Sequence, residues 1–187
     1  MKYDLLIEKG FIIDGTGNPW FKSDIGVIGD HVKSVGDLRD ADAERRIDCR
    51  RLVVAPGFID IHSHSDFPVL LDPRGESKVR QGVTVEVVGN CGTSAAPMNS
   101  EVRSYREKYM GNQFTRSFIW ETMEDYLNLI DERGASFNVV ALVGHGTVRQ
   151  NVMGFEMRAP TDSELRAMRR LVAEAMEDGA WGMSTGL

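Results

Sequence analysis

Pro56-Gly57-Phe58-Ile59-Asp60-Ile61-His62-Ser63-His64-Ser65-Asp66 joins a turn, a short apolar run with one acid in it, and two histidines one residue apart. Proline cannot extend a strand ladder and glycine frees the backbone, so Pro56-Gly57 separates the N-terminal stretch from the remainder of the chain. The run 58–61 reads as a short buried strand. On extended chain, residues two apart point the same way, so His62 and His64 face one side of the strand's C-terminal end. Two nitrogen donors on one face suit a divalent metal of zinc type. Taken alone, such a pair is better explained by surface or core histidines. The buried strand with its acid, and Asp66 just beyond, favour chemistry.

Toward the C-terminus, residues 75–81 read as a short helix and 84–88 as a β-branched strand ending in Gly89-Asn90-Cys91-Gly92. A cysteine there is either a small buried hydrophobe or a thiolate ligand beside the histidine pair. Residues 93–116 form a polar insertion whose position after Cys91 suggests part of a lid. Trp120, Met123, Tyr126, Leu127 and Ile130 recur at helical spacing over 120–133, with Gly134 as the stop. Residues 137–143 read as a third strand, ending in Gly144-His145-Gly146. His145 is a candidate ligand, proton shuttle or substrate contact, or simply a hydrogen-bonded residue at a strand end. Arg149, one loop later, can pair with a substrate carboxylate or lie on the surface.

The clearest helix covers 161–178. Thr161 and Glu164 make a capping-box pair, and Leu165, Met168, Val172, Ala175 and Met176 form its apolar stripe. Residues 181–185 then start a fourth strand, where Ser184 and Thr185 bring hydroxyls to the same mouth. Strands alternating with amphipathic helices imply a parallel sheet covered by helices, with chemistry at the C-terminal strand ends.

Before Pro56 the pattern is different. Residues 3–13, 25–28, 31–35 and 46–54 read as short strands, with Gly29-Asp30 as a hairpin turn. They predict a small antiparallel sheet or sandwich, in which His31 is solvated and has no role.

The chain has 187 residues, 42% of them hydrophobic and 27% charged, which allows a sizeable core. A net charge of -6 argues against nucleic acid and against an anionic membrane surface. No apolar run has the length of a membrane span and the N-terminus does not read as a signal peptide. Two cysteines are too few for a disulfide scaffold, which fits a cytoplasmic protein. Phosphate loops, a GxGxxG after a strand and a GxSxG elbow are all missing.

The residues from Val54 to Asp66 resemble the first barrel strand of the amidohydrolase superfamily, and the preceding strands resemble its small β-domain. Gly89-Asn90-Cys91-Gly92 is similar to the D-aminoacylase branch, the N-acyl-D-amino-acid deacylases. Further likeness lies in Gly144-His145-Gly146-Thr147-Val148-Arg149, in Val152-Met153-Gly154 and in Gly182-Met183-Ser184-Thr185-Gly186-Leu187. The resemblance implies an α/β fold: a small β-sandwich domain over 1–55, then over 56–187 the first four strands of a TIM-like (β/α)8 metal-dependent hydrolase barrel.

It also implies zinc as cofactor, with His62, His64 and Cys91 as metal ligands and His145 and Arg149 toward the substrate. Cys91 would hold one tight zinc with histidines from later segments, and His62 and His64 a second, weaker one. The reaction implied is hydrolysis of an N-acyl-D-amino acid to a carboxylate and a D-amino acid. The general base would be an aspartate beyond Leu187, so no catalytic base is expected in this segment. A barrel needs roughly 200 residues or more. The chain therefore reads as a cleaved, split or truncated portion that partners the remaining C-terminal half, and alone it is expected to be inactive. Two alternatives remain open: a non-catalytic metal-binding or interaction half-barrel, and an amidohydrolase acting on a cyclic amide or dipeptide. In those last branches a carboxylated lysine often stands at the fourth strand end, where this chain has Ser184 and Thr185.

Overall fold

The computed structural model describes residues 2–110 and 119–186. The chain divides into two compact units, Met1–Pro56 and Gly57–Leu187.

The first unit is a five-stranded sheet ordered β3-β2-β1-β4, with β5 also on β1. Its strands are β1 (Lys2–Ile12), β2 (Phe21–Ile28), β3 (His31–Gly36), β4 (Asp42–Asp48) and β5 (Val53–Val54). Tyr3, Leu6, Ile12 and Cys49 are buried in it. The β2–β3 hairpin turns at Gly29-Asp30, as its sequence predicts. The purely antiparallel expectation is corrected: β1 pairs antiparallel with β2 but parallel with β4 and β5. The expected strand over 46–54 is also broken in two, because Arg51 takes a positive φ of 66° between β4 and β5. A bulge interrupts β1 between Ile7 and Gly10. The Asp24 carboxylate accepts the Lys9 amide there at 2.7 Å and the Leu38 amide at 3.0 Å, so the amide freed by the bulge is not orphaned. Among the described residues one sheet forms, and a second sandwich layer does not. His31 is exposed and pairs with Asp30.

The second unit alternates strands and helices. Strand β6 (Phe58–Asp60) lies parallel to β7 (Val83–Val88), and β7 parallel to β8 (Asn138–Ala141). One residue later β9 (Val143–Gly144) pairs parallel with β10 (Met183–Ser184). The segment 138–144 thus bonds one neighbour with its first half and the other with its second. The handover is carried by Leu142 N to Val88 O and Val143 N to Gly182 O, both 2.9 Å.

Helices α1 (Pro68–Leu71), α2 (Glu76–Val79), α3 (Ser100–Met110), α4 (Met123–Arg133), α5 (His145–Met153) and α6 (Asp162–Glu177) connect these strands. Val88, Ala141 and Val143 from the strands pack with Met123, Tyr126, Ile130, Met168 and Ala175 from α4 and α6. Each large apolar side chain fully buried this way contributes about 2 kcal/mol.

Both long helices start at capping boxes, Thr122 with Asp125 and Thr161 with Glu164. The second was legible; the first moves the start of α4 from the expected 120 to Met123. Trp120 is not a helix residue: its indole donates to Ala95 O at 3.0 Å in the core. The insertion also departs from expectation. Ala95, Ala96, Met98 and Val102 belong to the core, so its first part is structural rather than a lid. Residues 111–116 of it lie outside the described residues. No helix among the described residues is long and apolar enough to cross a membrane.

Candidate metal centre

His62 and His64 follow β6 directly, and Cys91 follows β7, its parallel neighbour. Parallel strands end side by side, so segments distant in sequence deliver their side chains to one rim. The ligand atoms of His62, His64 and Cys91 all lie within 4.8 Å of one another. His62 Nε2 is 3.2 Å from Cys91 Sγ, and the two imidazole centroids are 5.5 Å apart. Zinc bonds nitrogen near 2.0 Å and thiolate sulfur near 2.3 Å, which puts two ligands of a tetrahedral ion roughly 3.5 Å apart. The cluster is therefore of a size and donor chemistry that a zinc-type ion fits. All three side chains are exposed.

The backbone under the cluster is tightly determined. Cys91 has φ of +53°, a left-handed conformation costing a non-glycine residue about 1–2 kcal/mol. Such a conformation persists where the surroundings over-determine it. Asn90 Nδ2 donates to Ser63 O at 3.2 Å and to Val87 O at 2.8 Å, tying the cysteine turn to the residue between the two histidines. Ser63 in turn donates to the buried Glu86 carboxylate and accepts the Ser65 amide. On the other side, Thr147 N donates to Gly92 O at 3.2 Å. The approach is backbone on backbone: a Cβ on Gly144 would lie 2.5 Å from Gly92 O.

Two buried groups of opposite charge, Asp66 and Arg106, lie beneath without forming a direct ion pair, and Asp66 Oδ1 and Arg106 Nη1 are buried with no hydrogen-bond partner. Burial pushes the Asp66 carboxyl up to about 6, against backbone amides, including that of Gly89, that favour its charge. Burial likewise lowers Arg106 to about 10, offset by the Asp66 charge. Arg106 comes from α3, donates to Thr147 Oγ1 at 3.1 Å and stacks over the Phe67 ring at 5.2 Å. Sequence reading missed this arginine; its one signal is the spacing of four from the buried Val102.

The sequence profile of the amidohydrolase family matches residues 45–187. The chain belongs to the amidohydrolase family. It is 43% identical to a D-aminoacylase of Alcaligenes xylosoxydans xylosoxydans over 98% of its own length and 38% of that protein's. It superposes on a solved N-acyl-D-glutamate deacylase of Bordetella bronchiseptica, complexed with zinc and a phosphonate inhibitor, with TM-score 0.90 and 37% identity. That match covers 100% of this chain and 39% of the other. A solved D-aminoacylase described with a binuclear metal centre matches at TM-score 0.89 and 38% identity, over 98% of this chain and 38% of that one. The chain thus spans about two-fifths of the length of the amidohydrolases it matches.

The remaining candidates fall in two places. His145 directly follows the end of β9, as expected, and is the first residue of α5, exposed, between two glycines that abut Gly92. It borders the cysteine turn but is not among the ligand atoms that converge. Arg149 lies within α5, and its guanidinium is engaged elsewhere. It donates to Glu156 O at 2.6 Å, to Arg158 O at 2.7 Å and toward Met153 Sδ at 2.9 Å. These partners occupy both terminal nitrogens, so in this structure Arg149 holds the turn after α5. Sequence reading missed α5 because His145 and its glycines look like a strand terminus.

Proposed function

We propose that the complete protein hydrolyses the amide bond of N-acyl-D-amino acids, releasing a carboxylate and a D-amino acid, with zinc as cofactor. The observation that carries this reading is the convergence of two imidazoles and one thiol at the rim of parallel strands, in a chain about 40% identical to deacylases of this substrate class. His62, His64 and Cys91 would hold metal, Cys91 at one tight position and the histidines at a second, weaker one. When bound, such an ion supplies Lewis acidity to the scissile carbonyl and acidifies water. The residues of this chain do the positioning. The Asn90 bridge sets the thiol against the histidines, and His145 stands at the edge of the cysteine turn, where it is our candidate to contact substrate.

In this reading residues 56–187 are the first four strands of a (β/α)8 barrel, and residues 1–55 are the N-terminal part of a small β-sandwich domain. A later segment supplies the general base, further ligands and the cover for apolar side chains such as Phe58, Ile59 and Ile61, which are 61%, 60% and 74% exposed. Exposed apolar surface of this kind marks an interaction face. The free thiols, Cys49 and Cys91, suit a reducing cytoplasm.

The test is release of D-methionine from N-acetyl-D-methionine, by the 187-residue chain and by the protein extended through the rest of the barrel, both loaded with zinc. Release by the extended protein only is expected. Failure of both would overturn the assignment, and release by the shorter chain would overturn placing the base in a later segment.

A further inference from the structure

The turn 89–92 holds Cys91 between two backbone groups that bond to a single side chain. Ser184, the last residue of β10, accepts the Gly92 amide on its Oγ at 3.0 Å and donates that hydroxyl to the Gly89 carbonyl. A serine hydroxyl is one donor with two acceptor lone pairs, and here it uses donor and acceptor on opposite sides of the cysteine. We propose that Ser184 is a positioning residue for the metal centre: its hydroxyl staples the two ends of the cysteine turn and so fixes the thiol against the histidine pair. The inference rests on the reading of Cys91 as a ligand.

The turn needs such a staple. Gly89, Cys91 and Gly92 have φ of +82°, +53° and +74°, so the chain leaves β7 through left-handed residues whose amides and carbonyls find no partner in a regular ladder. Asn90 anchors the face of the turn toward the histidines. Ser184 anchors the face away from them, from a strand close to the end of the described chain. The approach is permitted by Gly186, where a Cβ would lie 2.3 Å from Cys91 O. Without the Ser184 hydroxyl, the Gly92 amide and the Gly89 carbonyl both lose this partner and Cys91 is free to relax toward ordinary φ. The sulfur would then leave its position 3.2 Å from His62 Nε2. The loss is to ligand geometry, since the Ser184 hydroxyl is committed to the Gly92 amide and the Gly89 carbonyl.

The experiment is cobalt(II) titration of the complete protein, extended through the rest of the barrel, reading the thiolate-to-cobalt charge-transfer absorption and, with a competing chelator, the affinity. Wild type is compared with Cys91→Ala, Ser184→Ala and Ser184→Thr. We expect the band in wild type and its loss in Cys91→Ala. Ser184→Ala should shift or weaken the band and bind about 10- to 100-fold more weakly, as when hydrogen-bond partners of metal ligands are removed. Ser184→Thr, which keeps a hydroxyl, should restore both. Loss of fold stability alone would lower the melting temperature without moving the band of cobalt already bound. An unchanged band and affinity in Ser184→Ala, with the band absent from Cys91→Ala, overturns the staple and leaves the cysteine a ligand. No band in wild type overturns both. Should Ser184→Ala fail to fold, the equal-shaped pair Ser184→Thr and Ser184→Val decides: identical behaviour overturns the proposal, and a defect in the valine variant alone supports it.

Discussion

His62 Nε2 lies 3.2 Å from Cys91 Sγ although the residues are 29 positions apart and follow different strands. Parallel pairing of β6 with β7 makes this possible, and the left-handed turn at Cys91 aims the thiol back across the strand ends. In the complete protein, Cys91→Ala is expected to strip the tight zinc. The loss should exceed the roughly 10- to 100-fold typical of removing a ligand's hydrogen-bond partner. His62→Asn should weaken the second position more than the first. Metal analysis after dialysis against chelator reads both, and full zinc retention by Cys91→Ala would remove the thiol from the ligand set.

Gly144 is the point where α5 and the cysteine turn press together. A Cβ there would meet Gly92 O at 2.5 Å, Gly92 C at 2.6 Å and Thr93 N at 2.7 Å, all backbone atoms with no flexible tip to move aside. Gly144→Ala should therefore cost about 1–3 kcal/mol of stability, the usual range for overpacking. Because the displaced atoms adjoin Cys91, metal affinity should fall with it. Urea unfolding and a chelator competition measure the two effects, and wild-type values in both would show that the segments can separate freely.

How much could be read in advance depends on how local the signal is. The alternation of strands and helices after Pro56, the capping box at Thr161 and the meeting of His62, His64 and Cys91 at one rim depend on short-range pattern and residue chemistry, and they were legible. Long-range features were not. The parallel placement of β4 and β5 on β1 is set by which strand the chain returns to, and alternation within a strand carries no such information. Arg106 reads as one more charge in a polar insertion, and only the fold brings it to a buried carboxylate. Ser184 looks like any hydroxyl in a turn until its partners on both sides of Cys91 are seen. The partners of Arg149 were equally hidden: the Glu156 and Arg158 carbonyls that its guanidinium reaches are set by the turn after α5.

Arg106 and the buried Asp66 act on each other through charge alone, without a direct ion pair, and Arg106 Nη2 is held by Thr147. Removing Arg106 takes a favourable charge from Asp66 and a donor from Thr147, but it also removes a charge that burial disfavours. Arg106→Met keeps much of the packing over Phe67 and removes the charge, so it isolates that effect. The expected result is a destabilisation of about 1–3 kcal/mol, from the lost hydrogen bond to Thr147 and the lost attraction to Asp66, whose carboxyl burial already raises to about 6. Denaturant midpoints at neutral pH check it, and a stable Arg106→Met would mean that packing, not charge, holds α3 in place.

Glu164 offers a pH test. Its carboxylate accepts from Arg158 at 2.6 and 2.8 Å and from the Thr161 amide at 2.7 Å at the start of α6. The Arg158 contact first, then the amide and hydroxyl of Thr161, hold it well below its ordinary value of 4.5. A carboxyl depressed in the folded state binds protons more weakly there than when unfolded. Its contribution is thus present above 4.5 and is lost as pH falls from that value through the lower folded one. Glu164→Gln should therefore be less stable than wild type at neutral pH, and the gap should close in acid. The group lies at the surface, so salt should narrow the gap as well. Thr161→Ala removes the cap itself and should cost about 1 kcal/mol with a weaker dependence on salt. Thermal melts of the three proteins across pH and ionic strength measure this, and a Glu164→Gln deficit that stays constant into acid would mean that packing of the side chain, rather than its charge, supports the helix start.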